Sequence, residues 1–439
     1  MIPGLQKTAA AMCACISLFA FQSGHAGAQT PVYQTSGSLP GGGTYIMRRD
    51  EIAATSAMEL WFRAPAGGAD ARYPGISRLA LTAIAASKPA HGTSLTELIN
   101  RLGGTLNVSV YPDIAMVGVS VPSWDAPQVL RALTSAYFAP SISSDGFKTA
   151  LRDCAVAAAE TRFDAERILQ DSLFAQLFAS GPAHYPAIPG TTADFTKIPQ
   201  DAVKAYAQRA FRQNNAVLSL AGDVNAPLLS NVRGQNAGAP MDAPLDSTLA
   251  AQPGSATKSA YVAGLGFAWA GPPIADPKAA TALDFVADYL FDSDHGTLAQ
   301  TIEKANKDAF VNGQFITLHN PGVLLLTISG INTQAIRTQV LDAIAGMQHP
   351  MDGKAFQSAR TAFEYHLLSQ TQTPLSRADN FGWYAAEGNA PYAPGGSSGD
   401  YLKAVESLDP AYVAQMVQRY LQHPAIVQLI ESDEKGTTT

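Results

Sequence analysis

The sequence predicts an α+β protein built of two homologous α/β halves, each an antiparallel-rich sheet with helices packed on one side. Three observations carry that reading. One pattern occurs twice: a helix-like stretch, Thr93–Gly104, leads into two alternating runs, TLNVSVYPD and IAMVGVSVP, joined at Pro112-Asp113. The stretch Gly296–Asp308 leads likewise into AFVNGQFITLHN and VLLLTISG, joined at Pro321-Gly322. A helical face followed by period-2 runs broken at turn formers is the signature of a repeated helix-and-hairpin unit. Next, 439 residues exceed what one hydrophobic core organises and fit two domains of roughly 200 residues. Finally, Asn225–Lys258 is rich in Ala, Pro, Gly and Asn with little periodicity, which marks a linker.

In chain order, Lys7 supplies a short basic region, Ala9–Phe21 an apolar stretch, and Gly24-His25-Ala26 a small-x-small exit. Residues 1–26 therefore read as a secretory signal, with Ala28 as a second possible cleavage point, and the mature protein is expected to be exported to the periplasm. The apolar stretch is too short for a permanent membrane span, the alternative being a retained N-terminal anchor. Residues 27–43 form a leader, in which Gly41-Gly42-Gly43 reads as a turn.

The first half, 44–224, opens on a pair of strands, Thr44–Arg49 and Ala57–Arg63. Helices follow at Ile76–Ala86 and Ala126–Tyr137, a long helical stretch at Gly146–Phe178, a helix at Asp201–Phe211, and a closing strand at Asn215–Val224. The linker 225–258 leads to the second half, 259–434. That half opens on a strand, Ser259–Pro272, continues through helices at Ala279–Leu290, Thr333–Ala345, Gly353–Leu368 and Ala411–Leu421, and closes on Ala425–Glu431. Leu283, Val286 and Leu290 make a core-facing stripe. Phe381-Gly382-Trp383-Tyr384 is read as core, or as a contact patch ahead of the loop Gly388–Asp400. The strands are expected to keep one face open.

Charge and cysteine content exclude several functions. Removing the signal takes away Lys7 alone, so 29 basic and 36 acidic residues become 28 and 36, a net charge of −8. With no Lys/Arg cluster interleaved with aromatics and no phosphate loop, nucleic acid is not an expected partner. No long basic amphipathic helix is present, so stable membrane insertion is not expected. Cys13 and Cys15 lie in the signal, leaving Cys154 without an intrachain disulfide partner and read as a buried, unreactive thiol.

The segments LINRLGGTLNVSVYPD (Leu98–Asp113), DSLFAQLFASGPAHYPAIPG (Asp171–Gly190) and AFRQNNAVLSLAGDV (Ala210–Val224), in this order among the strands and helices, resemble the M16 peptidases, the pitrilysin and mitochondrial-processing-peptidase group. The resemblance spans nearly the whole mature chain. It implies an M16 metallopeptidase-like fold, in which the helix after the opening strands carries an inverted zinc motif, His-x-x-Glu-His. Here that stretch is GISRLALTA, with Arg78 at the first His, Leu81 at the catalytic Glu and Thr82 at the second His. Zinc needs lone-pair donors and its water needs a base, and a guanidinium, an isobutyl group and a hydroxyl do not supply them. The family's third ligand falls near Ala157 and Ala158, and Glu160 close by is read as solvent-facing.

Paired M16 subunits without zinc contribute an Arg and a Tyr, seven positions apart, to the substrate site. The matching positions hold Glu303 and Phe310, which reverse the charge and remove the hydroxyl donor. Arg78, Leu81, Thr82, Glu303 and Phe310 are thus degenerate family positions, and no catalytic, cofactor or metal residue is assigned. No two of the remaining histidines stand at i,i+4, and the local group Asp292-Asp294-His295 reads as a cap or polar turn.

The resemblance then implies a non-catalytic M16-like subunit or peptide-binding protein of the cell envelope, pairing with a zinc-bearing M16 peptidase or with itself. Extended peptides are expected to add to a sheet edge, with Met116–Val121 and Val323–Ser329 as the candidate strands. The alternatives are an active metal-dependent endopeptidase with a relocated site, and a stand-alone peptide-binding module.

Overall fold

The computed structural model of the chain describes residues 34–432 apart from 64–72, 90–91, 112, 162, 180–191, 235–247, 391–392 and 394–398. The signal read at 1–26, the segment 180–191 with His184, and His91 lie outside the described residues. The first-half elements are β1 (Gln34–Ser38), β2 (Thr44–Arg49), β3 (Thr55–Phe62), α1 (Ile76–Ala86), α2 (Leu95–Arg101), β4 (Thr105–Val110), β5 (Ala115–Pro122), α3 (Ala126–Phe138), α4 (Ser144–Thr161), α5 (Ala165–Leu177), α6 (Thr192–Thr196), α7 (Gln200–Ala210) and β6 (Ala216–Gly222). After the connection come β7 (Ser255–Ala260), β8 (Gly264–Ala270), α8 (Pro277–Phe291), α9 (Thr297–Ala305), β9 (Phe310–Ile316), β10 (Val323–Ser329), α10 (Gln334–Met347), α11 (Gly353–Gln370), α12 (Pro374–Glu387), α13 (Asp400–Glu406), α14 (Pro410–Tyr420) and β11 (Ala425–Glu431).

Two mixed sheets result, ordered β1-β2-β6-β3-β5-β4 and β7-β11-β8-β10-β9. The pairs β2–β6 and β7–β11 are parallel and all the others antiparallel. Leaving out β1, the two sheets have one topology. The repeated sequence pattern is α2–β4–β5 in one and α9–β9–β10 in the other. A capping box starts α2: Ser94 Oγ accepts from Glu97 N, and the Glu97 side chain accepts from Ser94 N. Gly42, at a φ of 97°, turns β1 into β2.

Helices cover both faces of each sheet, not one. The second face comes from an exchange: α5 of the first half lies on β8, β10 and β11, whereas α12 of the second half lies on β2, β3 and β6. The exchange explains why β6 and β10 are apolar runs instead of alternating ones, since a strand covered twice must be apolar on both sides. Small residues let the helices approach closely. A Cβ on Gly266 would lie 2.8 Å from Leu173 Cδ1, and Ala57, Ala221 and Ala378 form a buried alanine contact. Ser219 Oγ donates to the Ala378 carbonyl at 2.6 Å. One core cluster joins Trp61, Ile114 and Met116 of the first half to Phe267, Phe285 and Phe381 of the second.

Several boundaries differ from the sequence expectation. The stretch 146–178 is two helices, because Asp164 interrupts it and its carboxylate accepts from Arg167 N as a fresh N-cap. A strand, β1, lies in the segment read as leader, and β7 begins inside the segment read as linker. Both β5 and β10 are interior strands, so Met116–Val121 and Val323–Ser329 offer no edge. The edges are β1 and β4 in one sheet, and β7 and β9 in the other. Among the described residues no helix is long and apolar enough to cross a membrane.

Candidate functional site

Arg78 and Thr82 stand one turn apart on α1, facing α4. Leu79, Ala80, Ala83 and Ile84 bury the rest of the helix, which is why this apolar segment folds here. Thr82 Oγ1 donates to the Arg78 carbonyl at 2.9 Å, and Cys154 Sγ of α4 lies 3.8 Å from the same hydroxyl. Burial raises the Cys154 thiol pKa, so it is held as an unreactive thiol. Leu81 is fully buried, and its carbonyl accepts from the Tyr137 hydroxyl at 2.8 Å. Glu160 is exposed, and Ala157 and Ala158 offer no donor. These groups do not fit a zinc ion: the helix pair carries a cation, a hydroxyl and a protonated thiol where two imidazoles and two carboxylates would be needed.

Glu303 and Phe310, the second pair of positions singled out in the sequence, lie on α9 and β9. Glu303 Oε1 on α9 accepts from the backbone N of Val311 at 2.9 Å and so ties α9 to β9. Phe310 is 50% exposed at the start of β9. It neither packs into the core nor offers an oxyanion donor.

The junction of the halves holds buried acids that sequence reading did not single out. On β3, Glu59 is buried and accepts from Trp61 Nε1 at 2.9 Å. Trp61 stacks on Tyr111, and both meet the edge of Trp383 on α12. Trp383 Nε1 in turn donates to the Thr317 carbonyl at 2.9 Å. Burial, reinforced by Asp379, raises Glu59 well above the usual carboxylate range. Asp379 is itself pushed up to about 6 by burial. A few residues on, burial and the neighbouring Asp113 carboxyl raise the Glu387 carboxyl well above the usual carboxylate range, with Arg63 opposing them. Arg63 Nε donates to the Ala386 carbonyl at 2.7 Å, and His319 N to Asp113 Oδ2 at 3.3 Å. The bonds of Arg63, His319 and Trp383 hold α12 and the β9–β10 loop against each other and the first sheet.

These acids predict a pH dependence. Asp379 is protonated in both states below about pH 4, and between about 4 and 6 the unfolded chain loses that proton while the folded one keeps it. Stability is therefore full on the acid side and falls as pH rises through that window. Asp379→Asn is expected to flatten this part of the profile and to be more stable than the parent at pH 8, by roughly 1–2 kcal/mol after allowing for partial exposure. Urea unfolding between pH 4 and 8 checks it, and a variant with an unchanged slope would count against the assignment.

A cavity of about 660 Å³ opens beside the β1–β2 turn, lined by residues such as Tyr45, Ile46, Arg63, Val217 and Gly388. Its described lining has no acid, histidine or cysteine, which suits binding and not acid–base chemistry. Elsewhere the fold does gather donors. Asp288 on α8, His295 in the turn after it and His366 on α11 place their ligand atoms within 4.8 Å of one another. In the sequence Asp292-Asp294-His295 reads as a cap or polar turn, with a metal group as the lesser alternative, and Asp288 is not singled out. His366 is distant along the chain, and no local spacing signals it.

No family model matches the sequence, and no curated protein matches it. Solved structures do. A protease from Helicobacter pylori superposes with a TM-score of 0.78 at 14% identity, covering 91% of this chain and 99% of that one. The peptidase M16 inactive domain from Pseudomonas fluorescens gives 0.76 at 15% identity, covering 90% and 98%. A putative M16-like peptidase from Alicyclobacillus acidocaldarius gives 0.72 at 13%, covering 92% and 99%. The chain therefore has the α+β fold of the M16 peptidases.

Proposed function

We propose that this chain is a non-catalytic M16-like protein of the cell envelope that pairs with a zinc-bearing M16 peptidase. The observation that carries the reading is a complete scaffold whose reacting positions are filled with groups that do other work. Thr82 bonds within α1 and faces a buried thiol, Leu81 belongs to the core, and Glu303 fastens α9 to β9. The Pseudomonas fluorescens domain of the same fold is itself described as inactive. In this reading residues 1–26 direct export to the periplasm, and 44–224 and 259–434 are homologous halves joined through 225–258.

The edge strand β4 supports a peptide-handling role within the pair. Its outer side has no strand partner among the described residues, so its backbone groups are available for strand addition. At the equivalent edge, β9, Glu303 already occupies the Val311 N–H.

Co-expression with an exported, zinc-bearing M16 peptidase of the same genome, followed by size-exclusion chromatography with light scattering, tests the pairing. A 1:1 complex and a changed partner peptidase rate are expected. A strictly monomeric chain that leaves that rate unaltered would overturn the proposal.

A further inference from the structure

The donor cluster on the second half has the makings of a metal site remote in sequence from the degenerate motif on α1. His295 Nε2 lies 3.0 Å from Asp288 Oδ1, and His366 Nδ1 lies 3.2 Å from the same oxygen. Three ligands at about 2.0–2.1 Å around one tetrahedral ion stand about 3.3 Å apart, so both His–Asp spacings already match, and the two histidine donors lie within 4.8 Å of each other. All three side chains are partly shielded, at 13% exposure for Asp288, 29% for His295 and 23% for His366. An ion held by them would retain a solvent-facing fourth position.

The group beside them points the same way. Asp292 Oδ1 lies 2.8 Å from His295 Nδ1 and also accepts from the backbone N of Asp294 at 2.8 Å and of His295 at 3.3 Å. A carboxylate fixed by backbone donors and bonded to the far nitrogen of an imidazole is the outer support that metal-bound histidines use. It takes the Nδ1–H and leaves the Nε2 lone pair facing the Asp288 carboxylate. That opposition is relieved only by a proton or a cation between them. Protonating both imidazoles would place two positive rings 3.5 Å apart, centroid to centroid. Among the described residues no Lys or Arg pairs with either carboxylate. With neutral imidazoles the group carries two negative charges, which one divalent ion neutralises.

We propose that Asp288, His295 and His366 bind one divalent transition-metal ion of the zinc class, with Asp292 orienting His295. Two imidazoles and a carboxylate favour zinc, cobalt or nickel over calcium or magnesium. The ion would join α11 to the α8–α9 turn, so its action here is to fasten the helical layer of the second half.

The test uses tag-free mature protein stripped with a chelator, titrated with Zn²⁺ by calorimetry and with Co²⁺ by visible absorption. One Zn²⁺ per chain, a raised Tm and the intense absorption of tetrahedral Co²⁺ are expected. His366→Ala and Asp288→Asn should each weaken binding at least about tenfold and abolish the rise in Tm. Asp292→Asn should weaken it about tenfold, and His349→Ala should leave it unchanged. His366→Gln, closer in size, serves if the alanine variant is unfolded by circular dichroism. Absence of stoichiometric uptake by the parent protein, or uptake indifferent to both His366 and Asp288, would overturn the proposal.

Discussion

Replacing Gly382 with valine is expected to destabilise the protein by at least about 3 kcal/mol and to loosen α12 from the first sheet. A Cβ at this position would sit 2.0 Å from Trp61 Nε1 and 2.3 Å from its Cδ1. Trp61 has no room to yield: it is fully buried, stacked on Tyr111 and bonded through Nε1 to Glu59. Moving it would leave the buried Glu59 carboxyl without that donor, which adds a desolvation cost to the steric one. Glycine within a helix costs about 1 kcal/mol against alanine, and at this contact the close approach to Trp61 offsets it. Urea unfolding measures the loss. Trp61→Leu would be destabilising alone, but the double variant should lose less than the two single losses added, because the clash then has no partner. A Gly382→Val protein within 1 kcal/mol of the parent would remove Trp61–Gly382 as the contact that seats the exchanged helix.

The same helix marks where sequence reading ran out. The boundaries of α1 and β11 and the whole α2–β4–β5 repeat were legible, because each has one buried face or a clear turn former and therefore a clean period. α12 has no single buried face. Ala378, Phe381, Gly382, Tyr384 and Ala386 are buried around several sides of it, since it lies between the first sheet and the second half. Its FGWY segment registered as an aromatic cluster and not as a helix. The exchange of α5 and α12 was equally hidden, because the apolar runs of β6 and β10 signal cover on both faces but not which helix supplies the second cover. Site chemistry divides in the same way. That Arg78, Leu81 and Thr82 offer no set of zinc donors is readable from the chain, as it depends on residue identity alone. The meeting of Asp288, His295 and His366, and of Glu387 with Asp113, is set by tertiary packing.

The triple substitution Arg78→His, Leu81→Glu and Thr82→His, which writes His-x-x-Glu-His into α1, is expected to give no strong proteolysis and a protein weakened by about 3–5 kcal/mol. The loss comes from Leu81. Its side chain is fully buried in the first-half core, and a carboxylate there has no partner in the surrounding apolar cluster. The two new imidazoles would stand one turn apart facing α4, where Cys154 already approaches position 82 at 3.8 Å. Weak zinc uptake through two histidines and that thiol is therefore expected, and Cys154→Ala added to the triple variant should abolish it at this site. Metal alone does not complete the chemistry. With Glu303 bonded to Val311 N and Phe310 lacking a hydroxyl, neither of these two positions supplies the cation or hydroxyl that the M16 resemblance implies at a substrate carbonyl or a developing oxyanion. Zinc content in excess of the parent chain's after dialysis, and cleavage of an unfolded fluorogenic peptide with and without chelator, separate the two effects. Robust chelator-sensitive cleavage by the triple variant alone would mean that the scaffold retains a working substrate clamp, and that only the ligands on α1 stand between this chain and a peptidase.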